Sequence, residues 1–420
     1  MKRESAGPVT SRIVRGILAI SGGTAVGQVA LLLSSPLLSR LYTPEDFAVL
    51  TVVTSCAMPL AMVLTLRFES AVPLPKDEDR SRALALTAMV SAAAMTLALL
   101  ALTGVLAAIG VNLIEPLGIG MWALSIPALA LVLAVYRTAL QWSLRQQKYR
   151  SIGLRNVAQS LSTVAAQVGG GLRELSQTGL VGGYIVGQVL GTVLLLKGSN
   201  LFRGVAFSVA QDAIKSYTRF ALTLTPAGLI NTLGVYAPAV IVTALYGPVV
   251  GGSFGFAQRL LWGPVTLLGQ AIAQVYLAEV ADIRRRDAGN PRQLFWKATY
   301  GLGAAGLAVG LSIALGAPWL FELIFGQVWR EAGIMASVLS LQIASQLVAS
   351  PLSQTLIAFE RVNVQFVWDS ARLVAVVGVI CISFWFGAGP IACLFAFSVT
   401  STLMYIISWE LSRRTVSAKR

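Results

Sequence analysis

No histidine occurs anywhere in the 420-residue sequence, and there are only three cysteines. Without histidine there is no imidazole zinc ligand, no Ser-His-Asp triad and no Cys-His pair. Cys56, Cys381 and Cys393 fall in apolar runs without C-x-x-C spacing, so they read as packing residues rather than ligands or a disulfide. No cofactor and no metal are expected. Charge is also scarce. Asp, Glu, Lys and Arg make up 12% of the chain, far too little to cover a soluble protein of this length. The start of the chain, MKRESAGPVTSRIVRG, has no compact apolar core followed by a small-residue cleavage site. The first apolar run is therefore expected to stay as a signal anchor.

What is abundant is apolar sequence, 56% of all residues. Long apolar stretches recur, each close to the ~20 residues that span a bilayer core. Hydrocarbon offers the backbone no hydrogen bonds, so such stretches must be helices. Short alternating segments, the mark of a membrane β-barrel, are missing. The expected fold class is all-α, a polytopic membrane protein of about twelve transmembrane helices. The expected spans are 17–39, 48–66, 83–110, 118–140, 156–172, 178–196, 220–245, 251–279, 298–321, 332–358, 364–386 and 389–409.

The net charge of +14 would suggest nucleic acid in a soluble protein, but here the cations cluster in alternate loops, so no nucleic-acid partner is expected. With the N-terminus in the cytoplasm, 25 of the 32 Lys and Arg fall inside and only Arg40, Arg173 and Arg330 outside. Both termini are thus expected to be cytoplasmic. The outer loops are short and leave no room for a catalytic domain, so the chain does not read as an enzyme. The longest cytoplasmic loop, about 197–219, is also too small to be a domain.

A weak repeat divides the chain. Leu41-Tyr42-Thr43-Pro44 matches Leu245-Tyr246-Gly247-Pro248, and Gln141…Lys148 aligns with Gln354…Arg361. Six spans per half make the repeat parallel, with an axis along the membrane normal. The expected domains are an N-terminal six-helix bundle, 1–200, and a C-terminal one, 201–420.

Several spans are not apolar all round. Ser21, Thr24, Gln28 and Ser35 share one helical face in the first. Asn156, Gln159, Thr163 and Gln167 do so in the fifth, Arg259, Thr266, Gln270 and Gln274 in the eighth, and Gln342, Gln346, Ser350 and Gln354 in the tenth. Singly, such residues read as hydrogen-bonding glue between helices. Four full-length stripes read as walls of a polar cavity. Arg259 is the sharpest residue, because an intramembrane Arg costs at least ~2.5 kcal/mol and normally faces a protein interior. Arg67 lies beside Glu69 near a helix end; Asp369 and Arg372 are i,i+3 and can pair with each other.

The segments LSRLYTPEDFAVL (38–50), RFESAVPLPKDEDRSRAL (67–84), KSYTRFALTLTPAGLINTLG (215–234) and FGQVWREAGIMASVLSLQIASQLVASPLSQTL (325–356) carry a resemblance that covers essentially the whole chain. It resembles the Wzx-type O-antigen translocases, polysaccharide or oligosaccharide flippases of the multidrug/oligosaccharidyl-lipid/polysaccharide exporter superfamily. The resemblance implies two six-helix bundles around a central cavity. It also implies alternating access and a polyprenyl-diphosphate-linked oligosaccharide as substrate in a bacterial inner membrane. Membrane lipids, glycosyltransferases and a polysaccharide polymerase are the implied partners. Arg259 would meet the diphosphate, and Gln28, Thr24, Gln159, Gln167, Thr266, Gln270, Gln274, Gln342, Gln346 and Arg67 would line the cavity. The spans carry fewer charges than those of several relatives, which leaves the coupling ion open. A cation-coupled drug exporter of the same superfamily is the alternative, with Glu69, Glu279 and Asp369 as its candidate carboxylates. A polytopic polymerase or glycosyltransferase fits less well, since no outer loop could hold its site.

Overall fold

The computed structural model describes residues 8–109, 119–286 and 289–417. Lys2, Arg3, Lys419 and Arg420, counted above for orientation, lie outside these. The described residues form twelve long helices: α1 (Pro8–Leu41), α2 (Pro44–Leu64), α3 (Glu78–Ala108), α4 (Ser125–Arg145), α5 (Tyr149–Gly171) and α6 (Ser176–Leu196). The other six are α7 (Phe207–Tyr246), α8 (Pro248–Arg286), α9 (Pro291–Phe325), α10 (Arg330–Leu352), α11 (Val362–Trp385) and α12 (Pro390–Ser417). Eleven are long and apolar enough to cross a membrane. The exception is α5, where the 156–172 span was expected. Its length suffices, but Arg155, Asn156, Gln159, Ser160, Thr163 and Gln167 lower its hydropathy.

Two helices outrun the expected spans. Helix α7 begins at Phe207 and runs 40 residues, about 60 Å. Most of the expected loop 197–219 is therefore helical. Helix α8 runs 39 residues and takes in the Arg284-Arg285-Arg286 run.

Cα packing divides the chain into two compact units, one of residues up to Tyr42 with Val53–Leu229, the other of Thr43–Val52 with Ile230–Arg420. The first is built on close helix seams. Backbones of α1 and α5 meet where Gly23 faces Gly153, and a Cβ at either glycine would strike the opposite backbone. On α6, Gly183, Gly187 and Gly191 repeat every fourth residue and receive Gln167, Thr163 and Gln159 of α5. Small residues let helix axes approach where lipid supplies no hydrophobic drive.

The second unit is centred on Phe254, Met335, Leu339, Ile343, Val376, Ile380 and Phe397, all buried. Phe47, in the first turn of α2, packs edge-on against Phe256 (4.9 Å between centroids) and Trp329 (5.2 Å). Asp369 and Arg372 pair, as their spacing predicts, at 3.7 Å with both side chains 8% exposed. The carboxylate also accepts from Asn231 Nδ2 (2.6 Å) and Gln365 Nε2 (3.2 Å). Arg372 lies 4.9 Å from the Trp368 ring and donates to the Asn231 carbonyl at 3.3 Å.

The repeat has a backbone counterpart. Gln147 and Glu360, 213 positions apart, both adopt a left-handed backbone, with φ of 55° and 61°. The next residue in each case closes the same six-residue ring, Lys148 N to Ser143 O and Arg361 N to Leu356 O. Glu174 (φ 55°) and Gly387 (φ 72°) repeat this at the same offset, with Leu175 N to Gly170 O and Ala388 N to Ser383 O. These are Schellman corners that satisfy the last carbonyls of a helix. The tyrosines of the LYxP motifs do parallel work. Tyr42 OH donates to Gln167 O at the end of α5, and Tyr246 OH donates to Ala388 O between α11 and α12.

Two stability outcomes are expected from thermal unfolding of the detergent-solubilised protein. Gly187→Val overpacks the α5–α6 seam and costs about 1–3 kcal/mol, whereas Gly182→Val, whose Cβ meets open space, leaves the midpoint nearly unchanged. Arg372→Ala strands the buried Asp369 carboxylate and costs about 3–5 kcal/mol, much of it recovered in Asp369→Asn/Arg372→Gln.

Candidate functional site

In the first unit the expected polar stripes lie mostly in helix seams. Asn156 Nδ2 of α5 donates to Thr24 Oγ1 of α1 at 2.9 Å, and Gln28 is half-buried one turn on. Gln167 is fully buried, and its Nε2 donates to Leu180 O of α6 at 2.8 Å. Gln159 Nε2 reaches Thr163 Oγ1 at 3.3 Å beside Gly187 and Gly191. Gln167 therefore bonds α5 to α6, the work of interhelical glue, while Gln159, bonded within α5, packs against Gly191.

That line of residues begins one turn earlier than the sequence reading placed it. Arg155 is 4% exposed and lies at i−4 from Gln159. Its guanidinium sits 3.5 Å from the centre of the Tyr136 ring and donates to Asn156 Oδ1 (3.1 Å) and Gln188 Oε1 (2.8 Å). Gln188 in turn donates to Tyr184 OH at 3.1 Å. The span expected from sequence starts at 156 and leaves Arg155 among the loop cations; the 155–159–163–167 spacing is the signal that places it on the same line. Cation–π contact and neutral acceptors hold this charge without a carboxylate among the described residues.

Arg67 follows a break in the backbone. Leu66 and Arg67 both have left-handed φ, 48° and 61°, which ends α2 before the short helix Phe68–Ala71. Glu69 is 3% exposed with Oε1 3.8 Å from Arg67 NH1. Consecutive left-handed non-glycine residues store strain, which the ion pair and surrounding packing hold in place.

In the second unit Arg259 is half-buried on α8, its guanidinium 6.0 Å from the Phe47 ring. Thr266 turns its hydroxyl back onto the Trp262 and Gly263 carbonyls, bonds that cover its own donor. Gln270 and Gln274, one and two turns further along, are exposed. The α8 stripe thus differs from that of α5: it ends in free amides on the surface of its unit rather than in a seam.

Helix α10 is intermediate. Gln342 is 5% exposed and Gln346 half-buried, and the Oε1 of each is buried without a donor among the described residues. Ser345 Oγ between them meets Thr402 Oγ1 of α12 at 3.4 Å. Unsatisfied amides are costly in such surroundings, which sets these two glutamines apart from the hydrogen-bonded Gln167.

Comparisons with known proteins bear on the fold and the family. The fold matches solved transporters. One is the lipid II flippase MurJ in an inward closed conformation, at TM-score 0.75 and 11% identity over 96% of this chain and 87% of that one. Another is an inward-facing multidrug resistance MATE family transporter of the MOP superfamily, at TM-score 0.68 and 12% identity over 97% of both chains. A third is a MOP superfamily transporter from Pyrococcus furiosus, at TM-score 0.63 and 14% identity over 96% of both. At such identities the likeness is one of fold: the chain has the fold of MOP superfamily transporters.

In sequence, the chain is 25% identical over 194 residues to the lipopolysaccharide biosynthesis protein WzxC of Escherichia coli K12. That match covers 46% of this chain and 39% of WzxC, well under half of the relative's length. The model of the polysaccharide biosynthesis protein family matches residues 37–334. That is well over half of the sequence, and the chain belongs to the polysaccharide biosynthesis protein family.

Proposed function

We propose that the chain is a flippase, not an enzyme, carrying a polyprenyl-diphosphate-linked oligosaccharide across a bacterial inner membrane. The cargo serves a surface polysaccharide: O-antigen, capsule or exopolysaccharide. The movement is alternating access, with residues 1–200 rocking against 201–420 and both termini cytoplasmic. Enzymes that assemble the lipid-linked oligosaccharide would supply the cargo, and a polymerase would receive it.

The single observation that carries this reading is the face of α8. A membrane-crossing helix that exposes Gln270 and Gln274 in line with Thr266 and Arg259 is unsuited to hydrocarbon, where each free amide is penalised. It suits water and a cargo rich in hydroxyls. Arg259 then supplies charge-assisted hydrogen bonds to a diphosphate, and the glutamines bind sugar hydroxyls without fixing one sugar. Family membership, the transporter fold and the recurrence of equivalent corners in both halves support the same reading.

A cation-driven drug exporter needs a carboxylate free to bind its ion. Asp369 already accepts from Asn231 and Gln365 beside Arg372, and Glu69 lies against Arg67. Glu279, the third candidate, is exposed towards the end of α8; the engagement of the other two favours the flippase.

Arg259→Ala is expected to abolish surface polysaccharide in the producing strain while protein level stays unchanged. Normal polysaccharide in that strain would sink the role given to Arg259. Single cysteines at 259, 266, 270 and 274, placed in a background lacking Cys56, Cys381 and Cys393, are expected to react with a membrane-impermeant maleimide. Protection of all four rules out a watered face.

A further inference from the structure

The first three turns of α9 form a recess that the proposed transport does not use. Asn290, Arg292, Gln293, Trp296, Lys297 and Tyr300 line about 610 Å³ of open space. Spacings of four put Arg292, Trp296 and Tyr300 on one helical line, and Gln293 and Lys297 on the next. Tyr300 stacks on Trp296, with centroids 5.7 Å apart and planes at 29°, and Trp296 packs edge-on against Trp409 at 5.7 Å. Trp409 Nε1 donates to Thr299 Oγ1 at 3.2 Å. The aromatic ledge is thus fixed to the bundle.

The cations above it are not. Arg292 and Lys297 are exposed, and neither pairs with a carboxylate among the described residues. Their neighbours are engaged: Arg285 with Asp282 at 2.6 Å, Arg284 with the Ala358 carbonyl and 4.6 Å from the Phe359 ring. Beyond Tyr300, the same face of α9 continues as Leu307, Leu311 and Leu315, 63%, 51% and 82% exposed. Free cations, then an aromatic pair, then an apolar stripe on one helix face form the profile of an interface passing into hydrocarbon.

We propose that this recess seats the phosphate of an anionic phospholipid, with its acyl chains along the Tyr300–Leu315 face. Two unpaired cations match one phosphodiester and its neighbours in an acidic leaflet, and Trp296 with Tyr300 occupies headgroup depth. Anionic phospholipids are the bulk surroundings of a helix in an acidic leaflet, which favours a two-chain phospholipid over a polyprenyl phosphate. Tyr300 to Leu315 covers about 22 Å of helix, and Trp319 and Leu323 continue the exposed face, so acyl chains of one leaflet, about half of a ~30 Å hydrocarbon core, meet it along their whole length.

The test is native mass spectrometry of the delipidated full chain titrated with phosphatidylglycerol, phosphatidylcholine or undecaprenyl phosphate. Phosphatidylglycerol is expected to bind in preference to phosphatidylcholine. Arg292→Gln/Lys297→Gln is expected to weaken it about thirty-fold, from roughly fivefold per cation. Lys148→Gln/Arg150→Gln removes the same charge from the exposed start of α5 and is expected to leave the affinity unchanged, and Arg292→Lys to keep most of it. Equal losses in the two double variants, or no preference between the phospholipids, overturns the site. Tighter binding of undecaprenyl phosphate, lost in Arg292→Gln/Lys297→Gln, overturns the phospholipid assignment.

Discussion

Hydrocarbon accepts no hydrogen bonds and gives none, so every polar atom carried into it must be met by protein or by water. Three solutions occur here. Helix ends close on themselves, with the left-handed residues at 147, 174, 360 and 387 letting the next N–H reach back over the last turn. Polar side chains deep in a unit find one another: Gln167 takes a carbonyl of α6, and Asp369 is shared among Asn231, Gln365 and Arg372. The third is to leave a polar group exposed, as α8 does with Gln270 and Gln274, the amides proposed above to meet a cargo.

These solutions explain which parts of the molecule were legible in the sequence. Helix type follows from apolar runs of the right length, and eleven of the twelve long helices carry one, α5 being the exception. Helix ends were less legible, because the aqueous parts of α7 and α8 continue the same hydrogen bonding through polar sequence. A change from apolar to charged residues marks the membrane surface, not the end of a helix.

The polar stripes exposed a sharper limit. Period 3.6 identifies a face but not its neighbour. The stripes of α5 and α8 look alike in sequence, yet one meets glycines of α6 and the other does not. The matching glycine line on α6, with Gly183, Gly187 and Gly191 at four-residue spacing, was the piece of sequence that could have told them apart. Arg155 was missed for a related reason. Its place near a helix end suggested a loop cation, whereas Tyr136 and Gln188 draw it into the bundle.

The Schellman corners bear on how such a chain can change its length over evolution. At each of them the following helix starts within a few residues of the left-handed position, so the corner fixes the rotational phase of that helix. One inserted residue turns everything after it by about 100°. Between α5 and α6 that would swing Gly183, Gly187 and Gly191 away from Gln167, Thr163 and Gln159 and set Gly182, Val186 and Leu190 in their place. Insertions and deletions among homologues should therefore collect outside these corners, as in the stretch between α6 and α7, where no such corner sets the phase of the next helix.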